Sequence, residues 1–234
     1  MGRRRGPKRR WAMRVLGALL LAGLAGGAWF WWDLQHWTPP LEQYPDQGAL
    51  VGEEDGTVKF RTLRALGANF VYLEASQGAN AKDARFTRNY AAAREAGLQI
   101  GAVHRFDPCV LADGQSANFV TTVPRAKDLL PPAIELDVTA QGCPERVSDA
   151  AVQSELMTLI NQVETHTGKP VILKLGENFE QAYGVAMRIE RNLWLDRTRF
   201  EPTYAGRPWL MWSANDSLMS EADEQPIEWV VVQP

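Results

Sequence analysis

Segments with the character of strands and helices alternate along most of this chain, which limits the folds it can adopt. Helical spacing of apolar residues occurs at residues 58–66, 84–96, 115–123 and 151–167. Eight strand-like segments flank these helices, at residues 48–51, 70–75, 98–103, 133–138, 171–175, 193–195, 209–212 and 227–232. Alternation of this kind favours parallel strands, and eight strands favour closure. We predict an α/β fold, an irregular, TIM-like (β/α) barrel whose later helices are short or missing.

The N-terminus has the layout of a membrane-targeting segment. Arginines and lysines crowd residues 1–14, whereas residues 15–32 carry no charge. As a helix, that uncharged run spans about 27 Å, close to the hydrocarbon thickness of a bilayer. A cleaved signal peptide has the same layout, but three tryptophans and a phenylalanine occupy positions 29–32, where a cleavage site would need small residues. Aromatic residues suit a membrane interface instead.

These patterns divide the chain into four parts. We interpret residues 1–14 as a basic cytoplasmic segment and residues 15–32 as a transmembrane anchor or uncleaved signal. Residues 33–47 then form a linker, and residues 48–234 form the barrel. By the positive-inside rule, the protein would cross the inner membrane once and place its barrel in the periplasm.

The charge beyond the anchor excludes one class of partner. Seven of the 25 Lys and Arg residues precede Asp33, whereas all 28 Asp and Glu residues lie at or after it. The remaining chain therefore has a formal charge of −10. Such a surface repels phosphate backbones, so we expect no nucleic-acid partner.

Two acids lie two positions apart in the fourth strand-like segment. Glu135 and Asp137 share one face of that strand, roughly 6.5 to 7 Å apart along the backbone. In a barrel of this type the active site lies at the C-terminal ends of the strands. Crowded carboxyls raise at least one pKa, which suits acid/base work on glycosidic bonds. Glu228 could complete a three-carboxylate site. The alternative is a set of ordinary solvated acids at strand ends.

The two cysteines fit one disulfide. Cys109 follows the third predicted strand and Cys143 the fourth, so both lie in loops on the same rim. A sparse, even count in an exported chain favours pairing, and two unlinked buried thiols are the alternative. The sequence has no CxxC motif or Cys/His cluster, so it predicts no metal site and no cofactor.

Several motifs together resemble glycoside hydrolase family 25, the lysozyme-like N-acetylmuramidases. They occur in order at residues 67–78 (GANFVYLEASQG), 83–86 (DARF), 89–90 (NY), 96–104 (AGLQIGAVH), 115–119 (QSANF), 130–132 (LPP) and 207–210 (RPWL). The resemblance extends over roughly residues 48–232. It implies an irregular β/α barrel and hydrolysis of the β-1,4 bond after N-acetylmuramic acid, with peptidoglycan glycan strands as partner.

The resemblance also implies roles for the acid pair. The family's central Asp-x-Glu falls on Glu135-Leu136-Asp137, with the two acids interchanged. Transferred by position, Asp137 is the proton donor and Glu135 its partner. Substrate acetamido assistance, proposed for the family, would remove the need for a protein nucleophile.

This chain departs from the family pattern at several polar positions. Leu50 stands where the family has Asp, Gln77 where it usually has Glu, and Ser213-Ala214 where it has Gln-Tyr. An Asp in place of the Glu donor withdraws the carboxyl by about 1.5 Å, and a misplacement near 1 Å can slow catalysis about 100-fold. The sequence therefore predicts a weakened muramidase. The alternative is a catalytically inactive, membrane-tethered module that binds peptidoglycan or a protein.

Four residues are candidates for substrate binding: His104, Arg105, Gln77 and Trp212. His104 could bind substrate or orient a carboxylate, or it could be a satisfied core histidine. Arg105 could contact substrate, or it could form a salt bridge with Glu135 or Glu74. Trp212 or its neighbour Trp209 could stack on a sugar ring while the other packs in the core.

Overall fold

The chain forms a closed barrel of eight strands at the end of a long N-terminal helix. The computed structural model describes residues 7–234, with side chains from residue 11 onward. The first six residues, and with them part of the predicted basic segment 1–14, lie outside the described residues. The strands are β1 (Gln47–Val51), β2 (Ala68–Gln77), β3 (Ala81–Lys82), β4 (Gln99–Arg105), β5 (Ala133–Leu136), β6 (Ile172–Leu175), β7 (Asn192–Asp196), β8 (Met211–Leu218) and β9 (Ile227–Val232).

The barrel closes through pairing of β1 with both β2 and β9. The strand order is β1-β9-β8-β7-β6-β5-β4-β2, and the short strand β3 extends β2 outside the ring. Pairs from β1 through β2 to β8 are parallel, as predicted. β9 is antiparallel to both β8 and β1, which the alternation did not predict. Because only residues 219–226 join β8 to β9, there is no room for a crossover helix, and the two strands form a hairpin.

Six helices accompany the strands within residues 7–234. They are α1 (Pro7–His36), α2 (Phe60–Ala65), α3 (Phe86–Glu95), α4 (Ala112–Thr122), α5 (Asp149–Thr167) and α6 (Glu177–Tyr183). The longest barrel helix, α5, starts at Ser148, whose side chain accepts a hydrogen bond from the Ala151 amide. It stops at Gly168, which takes the left-handed conformation with φ 70°. The sequence did not predict α6.

Helix α1 is long and apolar enough from Trp11 to His36 to cross a membrane. It extends beyond the predicted span 15–32 at both ends, and its C-terminal end packs on the barrel. The Asn215 side-chain amide donates hydrogen bonds to the Leu34 and Trp37 carbonyls, both at 2.9 Å. The Trp37 ring lies 6.2 Å from the ring of Trp212 on β8. Since the C-terminal part of β8 lies at the barrel mouth, the helix leaves the barrel from that end.

Alternation along the strands separates two hydrophobic layers. The larger core fills the space between the barrel wall and its helices. A smaller apolar cluster fills the barrel interior and is formed by Leu50, Phe70, Tyr72, Val103, Ala133, Ile172, Trp194, Met211 and Val230. This plug closes the lower part of the barrel, so chemistry in the interior is confined to the layer above it.

A disulfide joins Cys109 to Cys143, as the sequence predicts. It ties the loop after β4 to the loop after β5, across 34 positions of sequence. By the chain-entropy relation, closing a loop of this length stabilises the fold by roughly 3 to 4 kcal/mol.

We therefore expect the Cys109→Ser/Cys143→Ser double variant to lose about 3 to 4 kcal/mol of unfolding free energy, measured by urea denaturation in detergent. Reducing agent should lower the stability of the wild type by a similar amount and leave the variant unchanged. A double variant as stable as the oxidised wild type would show that the crosslink adds nothing to the fold.

Candidate active site

A layer of polar and charged side chains lies directly above the apolar plug, at the mouth of the barrel. Each member is two residues from a plug residue on the same strand, so its side chain also faces the barrel interior. We call this set the mouth layer: Glu74, Arg105, Glu135, Lys174, Asp196, Ser213 and Glu228. The strand period therefore explains why seven separate segments converge on one site.

Lys174 on β6 is the centre of the mouth layer. Its Nζ lies 2.8 Å from Glu135 Oε1, 3.3 Å from Glu228 Oε2 and 3.7 Å from Asp196 Oδ1. Its side chain is only 6 % exposed and lies over the Trp194 ring. Burial alone would lower the pKa of Lys174, but the surrounding carboxylates raise it well above its ordinary value. The amine therefore stays charged at neutral pH.

Glu135 contacts two cations. Besides Lys174, Arg105 places its Nε 2.9 Å from Glu135 Oε2. Burial would raise the pKa of Glu135, yet the charges and hydrogen bonds of Lys174 and Arg105 bring it below its ordinary value. A carboxyl in this state is a fixed anion and a poor proton donor at neutral pH.

The pKa values of three other carboxyls in the layer are shifted in the opposite direction, upward. Burial raises the pKa of Glu228 to about 7 against the opposing charge of Lys174, and the nearby Asp196 raises it further. Burial likewise raises the pKa of Glu74 to about 7, although Arg105, 3.9 Å away, opposes the shift. The pKa of Asp196 is also raised by burial. Four carboxyls face two cations, so protons on the raised acids can bring the layer to neutrality.

Asp137 lies outside this network. β5 ends at Leu136, two residues before the predicted end, and Asp137 is exposed at the mouth. Among residues 7–234 it has no salt-bridge partner within 4.0 Å and no side-chain hydrogen bond. Gly176 lies beside it, where an added Cβ would stand 2.8 Å from Asp137 Oδ1. A glycine at position 176 thus leaves room for the carboxyl.

The positions that differ from the family pattern have other partners here. Leu50 is buried in the plug and pairs across the β1–β9 ladder with Glu228. The Ser213 hydroxyl donates a hydrogen bond to Glu228 and accepts one from Trp194 Nε1 at 2.7 Å. Ala214 is fully buried on the opposite side of the wall. The space around Glu228 is therefore filled by packed groups.

Two of the residues predicted to bind substrate lie where they cannot reach one. His104 faces outward into the core, is fully buried, and bonds Ser76 Oγ at 2.9 Å. Burial lowers the pKa of His104 to about 4, so it is a neutral core histidine. A core histidine was the alternative that the sequence left open.

Trp212 also faces outward. It is 2 % exposed, and its ring contacts the rings of Trp37, Tyr44 and Trp209. No face of the ring is free for a sugar, because these aromatic neighbours occupy it. The prediction that Trp209 or Trp212 stacks on a sugar while the other packs in the core is therefore wrong, since the two rings contact each other on the outer side of the barrel wall.

The other two candidates lie at the mouth. Arg105 makes both salt bridges that the sequence offered, to Glu135 and to Glu74. Gln77 is exposed at the end of β2, beside a hollow of about 70 Å³ that Glu74 and Arg105 also line. Ligand pockets usually measure ~300 to 1,000 Å³, so this hollow alone is too small for a saccharide. A larger cavity of about 540 Å³ lies at the opposite end of the barrel, far from the acids.

The sequence and the fold both match known proteins. The model of Glycosyl hydrolases family 25 matches residues 51–219, most of the chain. The chain belongs to glycosyl hydrolase family 25. Its fold matches that of a family 25 glycosyl hydrolase from Bacillus anthracis with a TM-score of 0.76, at 24 % identity, covering 84 % of this chain and 93 % of that one. A bacterial lysozyme from Streptomyces coelicolor matches with a TM-score of 0.69 at 19 % identity, over 80 % and 91 % of the two chains.

Two proteins are similar to parts of the sequence. Lysozyme M1 of Streptomyces globisporus is 38 % identical over 80 residues, 34 % of this chain and 27 % of that protein. The protein YegX of Escherichia coli (strain K12) is 28 % identical over 163 residues, 69 % of this chain. That match covers 58 % of YegX, so the chain spans little more than half the length of this relative.

Sequence reasoning missed Lys174, Asp196 and Glu74 as members of the site. The signal was present for Lys174, since a lysine in the apolar run of residues 171–175 lies two positions after an interior isoleucine. A charge on the interior face of a barrel strand needs a partner of opposite sign, and Glu135 has the matching register on β5.

We expect Lys174→Met to lower the unfolding free energy by about 3 to 5 kcal/mol at pH 7, because Glu135, Glu228 and Asp196 would lose their common cation. The loss should shrink toward pH 5, where the orphaned carboxyls can protonate. Urea denaturation at both pH values measures this. Lys127→Met, the same change at an exposed lysine, is the matched control. Equal stability of both variants at pH 7 would contradict the central role of Lys174.

The raised pKa of Glu228 predicts a pH dependence of folding. Its contribution to stability is fully present below the unfolded value of 4.5 and is lost as pH rises through about 7. Glu228→Gln keeps the bond to Ser213 but cannot ionise. The stability of the wild type relative to this variant should therefore fall by on the order of 1 to 3 kcal/mol between pH 4.5 and 7. Glu95→Gln, the same change at an exposed site, should show no such trend relative to the wild type. If the stabilities of the wild type and of Glu228→Gln change with pH in the same way, the raised pKa of Glu228 is wrong.

Proposed function

We propose that this protein is a membrane-tethered, peptidoglycan-directed hydrolase of the muramidase type, with weakened activity. Its reaction would be hydrolysis of the β-1,4 bond after N-acetylmuramic acid. One observation carries the proposal: Glu135 is held as an anion by Arg105 and Lys174, while Asp137, two residues on, is exposed and unpaired within the described residues. A fixed anion beside a second carboxyl that is open to the substrate is the arrangement that glycoside hydrolysis needs.

In this proposal Asp137 donates a proton to the leaving glycosidic oxygen. Glu135 stabilises the positive charge that develops at the sugar ring, and Glu228 assists in its ionised state. Arg105 and Gln77, on the adjoining rim, would contact the glycan. The substrate's own acetamido group would serve as the nucleophile, as the family resemblance implies.

The same geometry supports the proposal that the hydrolase activity is weakened. Glu135 directs its carboxyl into two salt bridges, which spreads its charge over Lys174 and Arg105 and reduces its effect on a sugar cation. Leu50 adds no charge where the family has an acid. The Asp137 side chain is one methylene shorter than a glutamate, so it reaches about 1.5 Å less toward the substrate.

Placement at the membrane follows from α1. The basic cluster and the uncharged run favour an orientation with the N-terminus in the cytoplasm and the barrel in the periplasm of the inner membrane. Peptidoglycan would then be within reach of the barrel.

A second candidate function is binding of peptidoglycan without cleavage. The packing of Leu50 and Ser213 around Glu228 favours it, because these groups occupy space near the acids that a bound sugar would otherwise enter. The two functions share a ligand and differ in turnover.

A muropeptide-release assay on the purified full chain separates these functions. If the proposal holds, wild type releases muropeptides slowly and Asp137→Asn lowers the rate constant kcat about 100-fold or more, the usual contribution of a general acid. Glu135→Gln should also lower kcat, and its folding must be checked because it leaves Lys174 short of a partner.

Asp128→Asn, the same change at an exposed acid away from the mouth, is the matched control and should retain the wild-type rate. Retained glycan binding without any release by the wild type would favour the binding module. Wild-type release that Asp137→Asn leaves intact would contradict the proposed donor.

A further inference from the structure

The loop after β7 holds the membrane-proximal end of α1. Arg199 in this loop forms a salt bridge with Asp33. Its guanidinium also lies 6.0 Å from the ring centre of Phe30 and 5.7 Å from that of Trp37. The Met219 amide, at the neighbouring hairpin, donates a hydrogen bond to the Gln35 carbonyl at 2.8 Å. These contacts fix the barrel mouth against the last two turns of the helix.

The level of Arg199 relative to a bilayer follows from these contacts. The uncharged run ends at Trp32, and Asp33 is the first charged residue beyond it. Phe30 and Asp33 are about 4.5 Å apart along the helix axis. A side chain that contacts both spans the boundary between the hydrocarbon and the head groups. The loop that carries Arg199 therefore lies at the membrane surface when α1 spans the bilayer.

The composition of residues 197–200 suits that position. Phe200 is 63 % exposed, and the guanidinium of Arg197 lies 5.9 Å from its ring centre. An exposed aromatic ring that follows two arginines matches the anchors of membrane interfaces, where the ring enters the head-group region and the cations meet lipid phosphates.

The backbone of this loop is strained. Arg199 has φ 71°, the left-handed region that favours glycine, and its amide donates a hydrogen bond to the Ala214 carbonyl at 2.8 Å. A side chain with a Cβ disfavours this conformation. Arginine persists in spite of this, and the contacts of its side chain with Asp33, Phe30 and Trp37 explain what the residue contributes.

We propose that residues 197–200 form a lipid-contacting loop that holds the mouth of the barrel against the periplasmic surface of the membrane. The partner is a bilayer of phospholipids, with Phe200 in the head-group region and Arg197 and Arg199 on lipid phosphates. Val138, which is 49 % exposed in the loop after β5, extends the apolar contact along the same rim. This proposal rests on the membrane anchor in the proposed function and is independent of catalysis.

Charge explains why this part of the rim faces the lipid. The chain beyond the anchor has a formal charge of −10, which repels anionic lipids over most of its surface. Glu53 and Glu54 follow β1, which is separated from β7 by β8 and β9 in the strand order. The arginine pair attracts the leaflet on one side of the mouth, while the acids keep the other side away from it. The mouth would then open along the membrane surface, toward glycans that lie close to the bilayer.

The test is the depth of probes on the full chain in nanodiscs of phosphatidylethanolamine and phosphatidylglycerol. A nitrobenzoxadiazole label is placed at Phe200→Cys, with the native disulfide oxidised, and quenched by lipids that carry a shallow nitroxide. The matched control is Leu66→Cys, at another exposed apolar residue at the opposite end of the barrel. We expect quenching at position 200 to exceed that at position 66 several-fold.

A second variant tests the role of Arg199. Arg199→Gly accepts the left-handed backbone but removes the contacts with α1, so quenching at position 200 should fall toward the value at position 66. Equal, weak quenching at both positions in protein that stays in the nanodisc would overturn the loop proposal and leave the anchor intact. Loss of the protein from the nanodisc would overturn the anchor itself and the loop proposal with it.

Discussion

The pairing of one buried amine with three carboxyls determines what the barrel mouth can do. Lys174 has no access to bulk water and can remain charged only because Glu135, Glu228 and Asp196 surround it. The carboxyls in turn need Lys174, since like charges in a desolvated layer cannot all ionise. Each strand end from β5 to β9 supplies a member or a neighbour of this network. The charges of the mouth layer are therefore coupled, and a change at one member alters the others.

This network explains why the two acids of the motif have different environments. Glu135 faces the interior, where two cations hold it ionised. Asp137 lies beyond the end of β5, where the rim gives it solvent and the open space beside Gly176. The spacing of two residues puts both on one side of the strand, but the strand end separates them into two dielectric environments. In the proposed hydrolase, an unpaired carboxylate would stabilise a sugar cation more strongly than Glu135, whose charge is offset by two cations.

Most of the fold could be predicted from sequence because it follows from local periodicity. All eight barrel strands overlap predicted segments, although β8 runs six residues past the end of the predicted strand 209–212, and the helices α2 to α5 match within a few residues. The direction of β9 could not be predicted, because it depends on the short β8–β9 connection and on closure against β1. In the site, Glu135 and Asp137 were identifiable from their motif, whereas Glu74 and Asp196 were not. The roles of His104 and Trp212 were not, because the two faces of a barrel strand differ by one position, and only the assembled wall decides which face meets the helices.

Several contacts join helix α1 to the barrel mouth, and under the proposed function these contacts limit how the mouth would reach a glycan. A flexible linker after a membrane helix would allow the barrel to sample many orientations. Here residues 33–37 are bound to Arg199, Asn215 and Met219, so the helix and the mouth cannot reorient independently without breaking these contacts. Loop 197–200 begins directly after Asp196 of the mouth layer, so the acids would lie within one loop of the bilayer in the proposed arrangement. A substrate far from the membrane would need those contacts to open, whereas one held near the surface would meet the mouth as it stands.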